Sequence, residues 1–347
     1  MAPRIVILGA GINGLSSAVC VQQACPLAQV QLVAEHFSPD TTGDGSAGFW
    51  APHLMSDKSA DMVKRVSAVT YEHLVKLAYS PLAGLLKIQM LSGYCLYSKP
   101  ADSSEEVPTW FEILESYRNL TEKEMLRFPK ENNGVFYTTV TVDVTAYMAW
   151  LMKRFKELGG TIRQARIEKI EEIAGDCDIL INCSALSSRY LFNDKEIKPV
   201  RGQVWKIRAP WIKHFYIFDD HVLEHPYILP GVDFVTVGGN AQEGSWKTQP
   251  DPDEARRIWD KAVERLPPLQ YATPLRSWAG LRPWRENPRL ESDTIDVQGR
   301  NIKVIHNYGH GGSGVTMHWG CALEVTAMVL ETLGTDQEQI KLLVSRL

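Results

Sequence analysis

The chain has 347 residues, 44% hydrophobic and 22% charged, with a formal net charge of -4. This is the composition of an ordinary globular protein long enough for two domains of roughly 150 residues each. It gives no support for a nucleic-acid partner, whose footprint would be a basic patch or stripe, and no apolar run approaches the roughly 20 residues needed to span a membrane.

The first predicted element is a strand at the very start of the sequence, so no signal peptide is expected. In "RIVILGAGINGL", residues 4–15, the apolar run Ile5, Val6, Ile7 and Leu8 has the character of a buried parallel strand. Gly9, Gly11 and Gly14 follow with the spacing G-x-G-x-x-G, and a helix-compatible stretch begins at Leu15. The first glycine permits a tight turn, the second lets the backbone approach a pyrophosphate, and the third lets helix and strand pack closely. A pyrophosphate there would meet the unpaired N–H groups and the dipole of a helix N-terminus. The run "VQLVAEH" reads as the next strand, and Glu35 stands where an acid would bind ribose hydroxyls. The triplet alone does not choose between NAD and FAD.

The segment "DTTGDGSAGFWAPH", residues 40–53, leaves the carboxyl end of that strand, where open α/β sheets bind ligands. A helix is predicted over residues 145–158, with Tyr147, Trp150, Leu151, Phe155 and Leu158 on one face and Gly159-Gly160 ending it. "CDILINCSALSS" gives a buried strand at residues 179–182 and a small-residue turn. "QVWKIRA", then "PYILPG" and "DFVTVGG" joined around Pro230-Gly231, read as strands of a β-rich insertion. "DPDEARRIWDKAVERL" is a helix with Asp251 as N-cap, Pro252 in the first turn and Glu254 closing a capping box. The chain then returns with a late strand, a glycine loop and a long helix. The expected architecture is α/β: a discontinuous Rossmann-like domain (residues 1–55, 145–190 and 290–347) interleaved with an antiparallel, β-rich substrate domain (56–144 and 191–289).

Six cysteines without any C-x-x-C spacing are expected to be buried thiols of a reducing compartment. His306 and His310 lie in "HNYGHGG", which reads as loop and not as a helical metal pair, so no metal site is expected. The last three residues, Ser345-Arg346-Leu347, are a conservative variant of the S-K-L peroxisomal address.

The second glycine loop, "HNYGHGGSGVT", again runs from strand to helix start, aiming further backbone N–H groups at an electron-rich group. A plain NAD domain needs one such loop. Reduced flavin carries charge at N1 and the adjacent carbonyl, which a second helix N-terminus would stabilise.

Together "GAGINGLSSAVC", "TTGDGSAGFWAPH", "NCSALSS", "PVRGQVWKIRAPW", "HPYILPG", "VTVGGNAQEGSW", "GLRPWRENPRL" and "HNYGHGGSGVTMHWG" resemble the D-amino-acid oxidase and D-aspartate oxidase family, in order over nearly the whole chain. The resemblance implies an FAD-dependent enzyme. Gly9, Gly11 and Gly14, with the intervening Ile12 and Asn13, would hold the pyrophosphate, and Glu35 the adenosine ribose. Thr41, Thr42, Gly48 and Phe49 would lie along the flavin, the last two through backbone N–H groups. Ile167 and Ser184 would border the adenine and pyrophosphate. Gly311, Gly312, Gly314, Val315 and Thr316 would cap the pyrimidine end.

On the same resemblance Arg282 clamps the substrate carboxylate, Tyr227 hydrogen-bonds it, and Gly312 completes the catalytic set. His53 and Leu223 would line the substrate pocket. The implied reaction moves a hydride from the substrate α-carbon to flavin N5, giving an imino acid that hydrolyses to a 2-oxo acid and ammonia, while O2 becomes hydrogen peroxide. The positions where aspartate oxidases carry extra arginines are Ile217 and Ala241, which favours neutral or broad substrates. His53 resembles the aspartate oxidases, and a D-aspartate oxidase is the alternative. The expected partners are a D-amino acid, O2 and a peroxisomal import receptor reading the tail, with the peroxisomal matrix as location and a homodimer as a candidate assembly.

Overall fold

The structure, a computed structural model, describes residues 2–53, 55, 59–98, 109–175, 177–219 and 226–347. In chain order, β1 (Arg4–Leu8) feeds α1 (Ile12–Ala24) and β2 (Gln29–Ala34). A loop with a tight turn at Thr42–Gly45 leads to α2 (Ala60–Ala78), α3 (Ala83–Leu86) and β3 (Ile88–Tyr97). Then come β4 (Tyr117–Asn119), α4 (Glu122–Met125), β5 (Asn133–Val142), α5 (Val144–Glu157) and β6 (Thr161–Gln164). The middle of the chain forms α6 (Glu171–Ala174), β7 (Ile179–Asn182), α7 (Ser188–Leu191), β8 (Lys198–Arg208), β9 (Phe215–Asp219) and β10 (Tyr227–Pro230). It ends with β11 (Val235–Gly238), β12 (Gln242–Glu243), α8 (Pro252–Arg265), β13 (Thr273–Val297), β14 (Arg300–His310), α9 (Gly314–Thr332) and α10 (Gln337–Val344).

These strands form one continuous sheet, ordered β4-β5-β3-β9-β10-β11-β8-β13-β14-β7-β1-β2-β6, with β12 paired to β8. From β14 to β6 every pairing is parallel. The apolar run of β1 is buried here, with Ile5 and Ile7 at 0% exposure, because helices cover both faces of a parallel sheet. From β8 to β14 and from β9 to β11 the pairings are antiparallel. The two sectors share β13, whose first half pairs with β8 and whose second half pairs with β14.

Two sequence expectations need correction. His306 and His310 are on a strand, not in a loop: β14 is paired on both sides, with His306 opposite Glu291 of β13 and Asn182 of β7. The flanking strands supply what the local glycine-rich composition lacks, and both imidazoles are buried. Glu254 does not close a capping box. Asp251 caps α8 alone, accepting from the backbone N–H groups of Asp253 and Glu254 at 3.0 and 3.1 Å. The Glu254 carboxylate turns inward to the buried Arg201 and accepts from Asn240 as well. A buried guanidinium without its anion would be far costlier than an unclosed cap.

Three helices of the core are tied by a buried polar chain. The Val315 carbonyl can only accept, so His318 Nδ1 donates to it at 2.7 Å, leaving Nε2 to accept from the Tyr147 hydroxyl at 3.0 Å. That hydroxyl in turn accepts from His73 Nε2 at 2.9 Å. The chain joins α2, α5 and α9. All six cysteines are buried and unbridged, and no group of three metal-ligating side chains occurs among the described residues. Among them no helix is long and apolar enough to cross a membrane.

Burial holds four imidazoles neutral: His306, His310 and His318 are pushed down to about 4, and His73 falls well below its usual value. Such a histidine binds its proton near pH 6.5 when unfolded, but only below its lowered value when folded. Stability is therefore complete above about pH 6.5 and falls as pH drops toward 4, by up to about 1.4 kcal/mol per pH unit for each histidine. Urea midpoints are expected to decline steadily over that window; a flat profile would show that these histidines ionise freely in the folded chain.

Candidate active site

The glycine triplet divides its labour by geometry. Gly9 has φ +108°, and a Cβ there would stand 2.3 Å from the Cys183 carbonyl oxygen at the end of β7. A Cβ on Gly14 would stand 1.8 Å from the Gly9 oxygen. Both glycines are thus demanded by the protein's own packing. Gly11 is different: nothing lies within 4 Å of its missing side chain. It faces open space at the N-terminus of α1, whose first turn carries no acid, so the positive end of the dipole is uncompensated there. Beside it the buried side-chain oxygen of Asn13 has no hydrogen-bond donor.

A second helix N-terminus opens into the same space. β14 ends at His310, and Gly311 (φ +53°) and Gly312 lead to Ser313, the N-cap residue of α9. A Cβ on Gly312 would meet His53 Cδ2 at 2.8 Å. Ser313 Oγ accepts from the His53 N–H at 2.7 Å and donates to the His53 carbonyl at 2.9 Å. Thr316 Oγ1 does the same to the backbone of Ala51, at 3.3 and 2.9 Å. The hydroxyl of Thr316 therefore fastens the 51–53 segment and does not itself line the cavity.

Between the two N-termini runs the 41–49 loop, and an acid that sequence reasoning passed over organises it. The buried Asp44 carboxylate accepts from the Thr41 N–H, the Thr41 hydroxyl, Ser38 and Thr145, at 2.6–2.9 Å. Further along, Lys206 of β8 reaches the loop. Its ammonium, 1% exposed, donates to the Ser46 carbonyl at 2.7 Å and to Thr236 Oγ1 at 2.9 Å. Burial, with repulsion from Arg276, pushes its pKa down to about 7. The loop leaves with Gly48 at φ +66°, where a Cβ would collide with the Val142 oxygen at 1.7 Å. The Gly48 N–H is turned to Ser46 Oγ at 3.2 Å, which departs from the expected role toward a flavin. Phe49 sits opposite Thr141 in a bridge whose bonds are made by Gly48 O and Trp50 N, so its own N–H stays out of that ladder. The Thr42 hydroxyl donates to the Leu281 carbonyl at 3.4 Å.

The sheet supplies the rest. Arg282 stands on β13 opposite Val200 and lays its guanidinium over Gly202, where a Cβ would be 2.3–2.4 Å from it. It is half-buried, and its Nη1 donates to the Asn240 carbonyl at 3.0 Å. Asn240 is fixed through its side chain, which accepts from the Gln203 N–H at 2.7 Å and donates to Glu254. The buried acid that left its cap thus holds the residue that seats Arg282. No carboxylate pairs with Arg282 among the described residues. Tyr227 rests its ring on Gly238 and Gly239, where Cβ atoms would stand 2.2 and 2.3 Å from ring carbons. Neither Gly202 nor the Gly238–Gly239 pair signalled its role in the sequence, because the side chain that needs the space is distant along the chain.

All of this encloses one cavity of about 960 Å³, at the upper end of the range for small-molecule and cofactor sites. Of the expected cofactor residues, Gly11 to Gly14, Thr41, Thr42, Gly48 and Phe49 line it, with Gly311, Gly312, Gly314 and Val315; so do His53, Tyr227 and Arg282 of the substrate set. Five do not. Gly9 lies beneath the turn, and Thr316 faces Ala51. Glu35 is exposed past β2, near Arg166 at 3.7 Å and His36 at 3.6 Å. Ile167 packs on the apolar cluster around Val6 and Leu180. The Ser184 hydroxyl donates to Asn182 Oδ1 at 2.6 Å. Leu223 lies outside the described residues. Ile217 lines the cavity and Ala241 does not. An open helix N-terminus, an unpartnered buried amide oxygen and a second N-terminus in one long cavity fit a dinucleotide such as FAD.

Comparison with known proteins agrees with this geometry. The family described as "DAO: FAD dependent oxidoreductase" matches residues 4–328. Human D-aspartate oxidase is 39% identical over 328 residues, covering 94% of this chain and 95% of that protein. The D-amino acid oxidase of Dugesia ryukyuensis is 35% identical over 336 residues, covering 95% and 98%. Among solved structures, glycine oxidase from Geobacillus kaustophilus superposes with a TM-score of 0.76 at 16% identity, covering 95% of both chains, which is a likeness of fold.

The glycines yield a paired test. Gly11→Ala is expected to leave the stability of the flavin-free protein within about 0.5 kcal/mol of the parent while weakening flavin retention. Gly14→Ala, which drives a methyl into the Gly9 carbonyl, is expected to destabilise the flavin-free protein itself. Thermal unfolding and retained flavin absorbance read both; equal flavin retention in Gly11→Ala and parent would show that the pyrophosphate lies elsewhere.

Proposed function

The chain belongs to the family of FAD-dependent oxidoreductases that includes the D-amino-acid and D-aspartate oxidases, and on that premise we propose that it oxidatively deaminates D-amino acids of neutral or broad side-chain type. The products are 2-oxo acids, ammonia and hydrogen peroxide. The observation that carries this reading is the Arg282 guanidinium: it lies in the cavity wall, held by a backbone carbonyl, with no carboxylate partner among the described residues. Its remaining N–H groups can grip a substrate carboxylate with two parallel bonds.

Bound FAD would supply the hydride acceptor and, through O2, the peroxide-forming half of the reaction. The protein's part is to place the substrate. Arg282 and the Tyr227 hydroxyl fix the carboxylate, and with it the direction of the α-carbon. Gly312 contributes backbone only, since a side chain there would run into His53. An amine that enters neutral needs no side-chain base, so orientation is the main catalytic effect. Peroxide is released where it must be contained, and the exposed Ser345 and Arg346 at the end of α10 support recognition of the tail by a peroxisomal import receptor.

A second reading, D-aspartate oxidase, is favoured by the 39% identity to the human enzyme and by His53 at the cavity. Against it, the cavity wall contains no lysine, and no arginine other than Arg282, among the described residues. Among the described residues a second substrate carboxylate would find no lysine and no further arginine, and burying a carboxylate unpaired costs several kcal/mol.

Arg282→Ala is expected to lower kcat/KM for D-alanine by about 10²–10³-fold, mostly through KM, with flavin retained and little rescue by Arg282→Lys. Parent-like turnover would remove Arg282 from the carboxylate clamp. Deleting Ser345, Arg346 and Leu347 is expected to move the protein from peroxisomes to cytosol while its mass in solution stays at two chains of 39.0 kDa. Unchanged location would overturn the import reading, and a one-chain mass for the parent would overturn the homodimer.

A further inference from the structure

The register of the β-rich sector lays two rows of side chains across the cavity floor. One row is apolar: Ile217 of β9 lies directly opposite Tyr227 of β10, Cys95 of β3 lies opposite Ile217, and Val135 of β5 lies opposite Cys95. The other row is polar. Asp219 pairs with Tyr97, and Tyr97 pairs with Asn133. Residues two apart on a strand share a face, and all seven of these side chains border the cavity that holds Arg282. Asp219 is the only acidic residue lining that cavity among the described residues, as Arg282 is the only arginine or lysine. Among the described residues, the cavity lining therefore sets one guanidinium, Arg282, and one carboxylate, Asp219, on either side of an apolar strip.

Resting on the reading of the site as a D-amino-acid oxidase, we propose that Asp219, with Tyr97 and Asn133 beside it, forms a side-chain subsite that selects cationic D-amino acids, arginine and lysine above all. The substrate carboxylate sits between Arg282 and Tyr227, and its side chain runs over Ile217 and Cys95 to the polar row. The spacing suits this. Asp219 lies one strand (about 4.8 Å) across from Tyr227 and two residues (about 6.6 Å) along. The stems of lysine and arginine, three or four methylenes long, cover apolar surface while delivering the charge beyond it. The field of Asp219 reaches the strip already: after burial, it is among the influences on Cys95, whose thiol is pushed up to about 12. A short acidic side chain meets the opposite conditions. The second carboxylate of D-aspartate would stop over Ile217 and Cys95, without a cation and facing a like charge.

The test is steady-state peroxide release by the FAD-loaded protein with D-arginine, D-norleucine and D-aspartate, for the parent and for Asp219→Asn and Asp219→Ala. The parent is expected to prefer D-arginine over D-norleucine, and both over D-aspartate. In both variants the ratio of kcat/KM for D-arginine to that for D-norleucine should fall about 10–100-fold, carried by the KM of D-arginine. The parent's D-arginine KM should also rise with ionic strength more steeply than its D-norleucine KM, because salt weakens an ion pair and leaves an apolar contact unaffected. A ratio that the substitutions leave unchanged would overturn the subsite, as would a parent that favours D-aspartate. If the parent oxidises none of the three, nor D-alanine, while retaining flavin, it is the oxidase reading itself that fails.

Discussion

The structure depends on one strand serving two sectors. β13 pairs with β8 through residues 273–284 and with β14 through residues 284–297, with a register shift between Trp284 and Arg289. Its first half carries Trp278, Gly280 and Arg282 to the cavity; its second half fixes β14, whose end launches the Gly311–Gly312 turn and α9. The Gly311 N–H donates to the Pro283 carbonyl at 2.9 Å, tying the turn to the strand next to Arg282. The distance between the Arg282 guanidinium and a helix N-terminus is thereby set by backbone pairing, which is stiffer than any side-chain contact. This is the kind of precision that catalysis by positioning demands.

Close approach is the second theme, and glycines permit it in both directions. Gly11 leaves open space beside the cavity, while Gly202, Gly238 and Gly239 leave room for the side chains of Arg282 and Tyr227. Trp278 is wedged the same way: Cβ atoms on Gly45 and Gly280 would stand 2.1 and 1.9 Å from its ring. It thus presses the 41–49 loop against β13. Polar anchors complete the wall. Asp44 gathers four donors from the loop and α5, Lys206 holds the Ser46 carbonyl, and Glu254 acts on Arg282 through Asn240. None of these three needs to touch a substrate to decide where the reacting groups lie, and each is buried deeply enough that removing one partner would strand the other.

The human D-aspartate oxidase likeness and the pocket chemistry point to different side-chain preferences, and the difference has a physical origin. Sequence identity averages over a core and a cofactor cradle whose demands are shared across the family. On the proposed reading, substrate choice depends on a few groups around Ile217 and Asp219, which line the cavity. A few substitutions there change the sign of charge in the pocket without leaving a mark on overall identity.

From the sequence, local chemistry was legible: the strand, glycine triplet and helix of residues 4–24, the hairpin around Pro230-Gly231 and the Asp251 cap of α8. Each rests on neighbours in the chain or on a motif, where periodicity, turn chemistry and caps carry the signal. The misreadings came where distant residues decide. His306 became strand because β13 and β7 flank it, His310 because it pairs with Trp284 of β13, and Glu254 left its cap because Arg201 is buried beside it. The polar row from Asp219 to Asn133 spans three strands that are far apart in sequence. Only the tertiary structure could set it facing Arg282, because register and strand order are fixed by long-range pairing and shared burial, to which no local pattern in the chain is bound.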